Sequence, residues 1–254
     1  MTPLDEIKAL IAQKELFIFD LDGTLFNTLG DLAPAVNYAM TQFSLHTHSN
    51  DDVRTFIGNG SLNLIRRAVA ANFIPVVSTR DMEKVAETLA RENYSEENIK
   101  EIHKVYSEYY WEHCTENTEP YKGVVELLQR ISNRAENFNR NEDCAAMLTN
   151  KPIAPAQKIL KKFGLENSFA TYLCGDTTPE RKPSPAGIYE ILRQTGIAPE
   201  KAIMIGDDTP DVLAAKNAGI DCITLFEGFG KAENLFPLEP RYTASHIKDF
   251  AEFI

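Results

Sequence analysis

Cysteine is scarce and scattered in this 254-residue sequence. Cys114, Cys144, Cys174 and Cys222 form no CxxC pair, so neither a zinc site nor a dense disulfide framework is indicated. Long apolar runs are missing as well. The first, Leu16-Phe17-Ile18-Phe19, stops at Asp20, too short for a signal core or a membrane span, and a soluble cytoplasmic protein is the expectation. Positive charge is in the minority, 26 Lys and Arg against 37 Asp and Glu, for a net charge of -11. Nucleic acid and anionic membranes repel such a chain at long range, so neither is an expected partner. Repeats and low-complexity tracts are absent. What is present, 43% hydrophobic and 25% charged residues, suits a globular core of ordinary size.

Leu16–Phe19 empties into Asp20-Leu21-Asp22-Gly23-Thr24, the pattern of a strand buried on both faces that ends at a polar loop. The design recurs. Ala145–Leu148 runs into Thr149-Asn150-Lys151-Pro152, and residues 202–205 run into Gly206-Asp207-Asp208-Thr209-Pro210-Asp211. Helical periodicity follows at 153–163, 186–193 and 211–218, the last closed by Gly219. This alternation predicts an α/β fold with a doubly wound parallel sheet, whose ligand site lies at the carboxyl ends of the strands. Between Phe26 and Glu119 strand patterns vanish, and helical ones at 32–43, 62–71 and 102–111 predict an inserted α-helical cap. The expected division is a core from 1–25 and 120–254 and a cap from 26–119. Pro120-Tyr121-Lys122-Gly123 has the turn chemistry of a return to the core, and a helix is expected from Val124. The Asn-rich stretch 133–143 reads as a surface loop.

Two carboxylates at Asp20 and Asp22, just past a buried strand, repel unless a cation or a proton intervenes. An isolated pair would serve as well for a turn and a helix cap. Here a further acidic cluster, Asp207, Asp208 and Asp211, follows a second apolar run, and a parallel sheet brings both clusters to one edge. Hard oxygen donors suit magnesium better than zinc. Thr149 and Lys182 sit where a phosphoryl group would want a hydroxyl and a point charge.

The segments FDLDGTL, LTNK, the lysine of RKPSP, and GDDTPD, in this order and spacing, resemble the haloacid dehalogenase superfamily of phosphohydrolases. RTFIGNG, LTNKP, KPSPAGI and GDDTPDVLAAKNAG are similar to its phosphoglycolate phosphatase branch. The resemblance implies magnesium-dependent hydrolysis of a small phosphorylated metabolite, 2-phosphoglycolate by first choice, through an aspartyl-phosphate, with Asp20 as nucleophile and Asp22 as general acid and then base. It further implies that Thr24, Thr149 and Asn150 contact the substrate and that Lys182 neutralises Asp20 and phosphate. Magnesium would be held by the Asp20 side chain, the Asp22 carbonyl and Asp207, with Asp211 close by. In the cap, Gly58, Asn59 and Gly60 would read the leaving group, since core motifs meet only the phosphoryl group. Asn27 and Asp208 depart from the family pattern, where an acidic residue and a serine are usual.

Three signals are set aside. His46-Thr47-His48 lacks a third metal ligand nearby; Tyr106, Tyr109, Tyr110 and Trp111 have the spacing of cap core; Cys174 reads as a buried residue at a strand end. A sugar-phosphate phosphatase or mutase and a pyrophosphatase share the motifs and stay open, as do a monomer and a homodimer. A dehalogenase is disfavoured by Asp22. A non-catalytic binding protein would be expected to have lost one of Asp20, Asp22, Lys182 or Asp207.

Overall fold

The apolar runs become the centre of one sheet in the computed structural model, which describes residues 1–73, 94–137, 145–178 and 180–253, with only the backbone for 132–137. In chain order the elements are α1 (Leu4–Ile11), β1 (Leu16–Phe19), β2 (Phe26–Asn27), α2 (Leu29–Gln42), α3 (Asn50–Phe56), α4 (Ser61–Ala70) and α5 (Glu96–His113). Then follow β3 (Glu119–Pro120), α6 (Val124–Asn137), β4 (Ala145–Leu148), α7 (Ile153–Lys162), β5 (Thr171–Leu173), α8 (Ala186–Thr195), β6 (Ala202–Gly206), α9 (Thr209–Ala218), β7 (Asp221–Leu225), α10 (Ala232–Leu235) and β8 (Tyr242–Ala244). The chain divides into two compact units, Met1–Asn27 with Glu119–Ile254, and Thr28–Thr118.

The first unit is built on a six-stranded parallel sheet of order β5-β4-β1-β6-β7-β8. Strands β1, β4 and β6 are buried along their whole length, as a parallel sheet covered on both faces requires. Phe17 pairs with Ala145 on one side and Ile203 on the other. Leu16, Ile18, Ala146 and Met204 pack with Ile188 and Ile191 of α8 and Ala214 and Ala215 of α9, and each buried Ile or Leu contributes roughly 1.5–3 kcal/mol. The sequence visits β1, β4 and β5 in one direction and then returns to β6 on the other side of β1. That reversal at β1 is the switch point at which open α/β sheets place their ligands.

Several elements are absent from the sequence reading. Phe26–Asn27 pairs antiparallel with Glu119–Pro120, a ladder too short to show periodicity. Helix α6 continues to Asn137, which corrects the start of the loop expected at 133–143; residues 138–143 of that loop lie outside the described ones.

The second unit is helical. Ser49 and Asp52 form a reciprocal capping box at the start of α3, and Ser95 caps α5, each satisfying main-chain donors that a helix start leaves open. The buried Asp31 carboxylate accepts from the main-chain N–H groups of Asn117 and Thr118 at 2.8 and 2.9 Å, tying the unit's first helix to its last residues. Tyr106 and Tyr110 stack in the unit's interior, but Trp111 is 46% exposed, which corrects its assignment to the core: at i+5 from Tyr106 and next to Tyr110 it falls on the outer face of α5. His48 faces the Ala68 carbonyl at 2.8 Å and meets the Phe56 ring edge-on. No described helix is long and apolar enough to cross a membrane.

Candidate active site

Three elements deliver acids to the carboxyl edge of the sheet. Asp20 follows β1 and continues its pairing, with its N–H donating to the Ile205 carbonyl at 3.0 Å. Asp207 follows β6 directly. Asp211 lies in the first turn of α9, where one carboxylate oxygen accepts the N–H groups of Asp207 and Asp208, both at 3.1 Å. Carboxylate oxygens of Asp20, Asp207 and Asp211 all lie within 4.8 Å of one another. Asp208 is not in that group; as the N-cap of α9 it accepts the Thr209 N–H at 2.7 Å.

Lys182, on the loop before α8, reaches into the cluster. Its Nζ lies 2.5 Å from Asp211 Oδ1 and 2.9 Å from Asp20 Oδ1. Asp20 Oδ1 is buried, and the Lys182 ammonium facing it answers its charge. Asp207 is clamped from both sides. Its Oδ1 accepts the Thr24 hydroxyl at 2.5 Å, and its Oδ2 accepts the Phe229 N–H at 2.7 Å. A Cβ at Gly23 or Gly228 would collide with this carboxylate, and Gly23 also holds a φ of 86°, a conformation that glycine adopts without strain.

These surroundings shift the charges. Burial raises the Asp20 carboxyl to about 6, against the pull of Lys182 and with a push from Asp211. Burial also raises Asp207 well above the usual carboxylate range, helped by Asp211 and Asp20. For Lys182 burial acts downwards, but Asp20 and Asp211 outweigh it and the ammonium stays charged. Three carboxylates facing one ammonium leave the buried cluster short of positive charge. With hard oxygen donors only, and carboxylate oxygens of three acids within 4.8 Å of one another, the cluster fits a divalent cation.

Asp22 stands outside the cluster, with both oxygens on Lys151 Nζ at 2.9 and 3.2 Å. Thr149 is buried at the end of β4, its hydroxyl accepting the Lys151 N–H at 3.2 Å, and Asn150 donates its side-chain amide to the Lys182 carbonyl at 3.0 Å. Gly58, Asn59 and Gly60 belong to the helical unit and join α3 to α4, with φ of 131° and 85° at the two glycines. Arg67 holds the start of that turn through the Phe56 and Ile57 carbonyls, at 2.9 and 3.1 Å. Cys174 is buried just past β5, and burial pushes its thiol up to about 12, leaving it without thiolate at neutral pH.

Sequence reasoning passed over Lys151 and the Phe226–Gly230 loop. The first stood in plain view as the last residue of LTNK, past a buried strand. The second acts through a main-chain N–H, which any residue type supplies; its only signal was the pair of glycines after the apolar run of β7.

The sequence profile of the haloacid dehalogenase-like hydrolases matches residues 17–225. The chain is 33% identical over 227 residues to a phosphoglycolate phosphatase of Psychrobacter arcticus, covering 89% of this chain and 90% of that one. It is 31% identical to a phosphoglycolate phosphatase of Pasteurella multocida, over 96% and 98% of the two chains. Among solved structures, that of a predicted phosphoglycolate phosphatase from Haemophilus somnus 129pt matches with a TM-score of 0.77 at 30% identity, over 94% of this chain and 97% of that one.

Proposed function

The chain belongs to the haloacid dehalogenase-like hydrolases, in their phosphoglycolate phosphatase branch, and from that membership we propose that it hydrolyses 2-phosphoglycolate with magnesium through an aspartyl-phosphate on Asp20. The observation that carries this reading is the cluster of Asp20, Asp207 and Asp211 oxygens within 4.8 Å, opposed by the single ammonium of Lys182. Phosphoryl transfer asks little covalent chemistry of a protein and much positioning and charge compensation. A carboxylate at the carboxyl edge of the sheet, held beside a buried ammonium, suits in-line attack on phosphorus.

In the first step an Asp20 oxygen bonds to phosphorus as the ester oxygen departs, and Asp22 gives that oxygen a proton. In the second, Asp22 takes a proton from water as the water oxygen bonds to phosphorus, and Asp20 leaves as a free carboxylate. Asp22 ends as it began. Lys182 balances charge on Asp20 and on the phosphoryl oxygens, and Thr149 and Asn150 donate to those oxygens. The Asp20 side chain, the Asp22 carbonyl and Asp207 would hold magnesium, with Asp211 beside them; the ion supplies the positive charge that the cluster and a phosphate together need.

Substrate choice belongs on this reading to the Gly58-Asn59-Gly60 turn. Its positive-φ glycines permit close approach of a ligand to the main chain, and an amide side chain with main-chain N–H groups suits the distal carboxylate of phosphoglycolate. Phosphate release from phosphoglycolate, pyrophosphate, sugar phosphates, nucleotides and an aryl phosphate, in wild type and Asn59→Ala, tests both points. Phosphoglycolate should show the highest kcat/KM, and the variant should lose far more on phosphoglycolate than on the aryl ester. A better substrate elsewhere in the panel, or equal losses on both esters, would overturn the assignment.

A further inference from the structure

Each of the two catalytic acids has its own lysine. Lys182 serves Asp20 and Asp211, whereas Lys151 Nζ sits between the oxygens of Asp22, 2.9 and 3.2 Å from them. An ammonium shared by both oxygens restricts rotation of the carboxylate as well as its displacement. Burying a lysine is costly unless its charge is answered, and the Lys151 side chain is only 3% exposed, so the contact is one that the fold maintains. The lysine is itself anchored. Its carbonyl accepts the Gly175 N–H at 2.9 Å and its N–H is held by the Thr149 hydroxyl at 3.2 Å. A Cβ at Gly175 would collide with the Asn150 carbonyl, so the main chains past β4 and β5 are in close apposition at this point. The side chain therefore projects from a fixed base.

We propose that Lys151 is a positioning residue for Asp22, holding its carboxylate outside the Asp20–Asp207–Asp211 group in the orientation that serves the leaving oxygen and the attacking water. The inference rests on the reading of Asp22 as acid and base. If Lys151 instead bound the substrate's phosphate, its loss would weaken binding of every ester alike. If it orients Asp22, its loss matters where a proton must be delivered to the leaving group. An alkyl phosphate departs as a strongly basic alkoxide and needs that proton; p-nitrophenyl phosphate departs as a stable phenolate and does not.

The test measures kcat and KM on p-nitrophenyl phosphate and on whichever alkyl phosphate the wild type turns over, so that failure of phosphoglycolate touches only the substrate assignment. Lys151→Met should lower kcat on the alkyl ester about 10- to 100-fold, with KM little changed and a much smaller loss on the aryl ester. Lys151→Arg should recover part of the loss. In an Asp22→Asn background, Lys151→Met should add almost nothing, since two residues acting as a unit are not additive. Should Lys151→Met fail to fold, Lys151→Gln, which keeps the stem and a donor, takes its place. Equal losses on both esters, a loss confined to KM, or full additivity in the double variant would overturn the inference. Full activity of Asp22→Asn alone would instead sink the role given to Asp22.

Discussion

At Asp20 burial makes a carboxylate costly to keep ionised. Its carboxyl holds a proton up to about 6 in the folded chain against an ordinary value of 3.8. Between those values the unfolded chain is ionised at this position while the folded chain is not, so folding stability falls as pH rises through that window and then levels off. Asp207, raised in the same direction by burial first and its neighbours second, adds to the same trend. An amide at position 20 does not ionise in either state. With chelator present, Asp20→Asn should therefore melt a few degrees above the wild type near neutral pH, with the gap closing as pH falls to about 4. Thermal melts across that range check it; a constant gap, or a variant less stable at neutral pH, would count against the cluster's electrostatics.

The elements around Asp207 act as a clamp assembled from distant parts of the chain. Thr24 comes from the loop after β1 and Phe229 from the loop after β7, and Gly228 brings the second loop against the carboxylate with no room for a Cβ. Gly228→Ala must displace that loop, and loss of an outer partner typically weakens metal binding about 10- to 100-fold. Calorimetric titration with magnesium should show a fall of that order with the far-ultraviolet circular dichroism unchanged; an unaltered affinity would mean that the clamp does not govern the metal. What the sequence disclosed of this site follows the same physics. Strands β1, β4 and β6 were legible because central parallel strands are continuous apolar runs, and Asp20, Thr149 and Asp207 were legible as the polar residues that end them. Strand β5, with Thr171 and Tyr172 half-exposed, lacks such a run. The contribution of Phe229 was hidden because a main-chain donor leaves no trace in residue type. Trp111 was misjudged because helical spacing alone does not say which side of an aromatic-rich helix faces inward.

Over the whole molecule, the chain crosses between its two units twice, at Asn27–Thr28 and at Thr118–Glu119, and every ionisable group given a role in phosphoryl transfer lies in the first unit. On the proposed mechanism the phosphoryl chemistry falls to one unit, and the choice of ester is proposed for the other. The most direct test of the central claim is to trap the phosphoryl group on Asp20. Asp22→Asn should still be phosphorylated by p-nitrophenyl phosphate, whose leaving group needs no proton, but should lack the base that clears the intermediate. Acid-quenched, protease-digested Asp22→Asn should then carry a phosphoryl group on the peptide containing Asp20, with a burst of nitrophenol that depends on magnesium, and Asp20→Asn should show neither. Turnover by the Asp20→Asn protein, or a burst with no phosphoryl group on that peptide, would contradict covalent catalysis by Asp20.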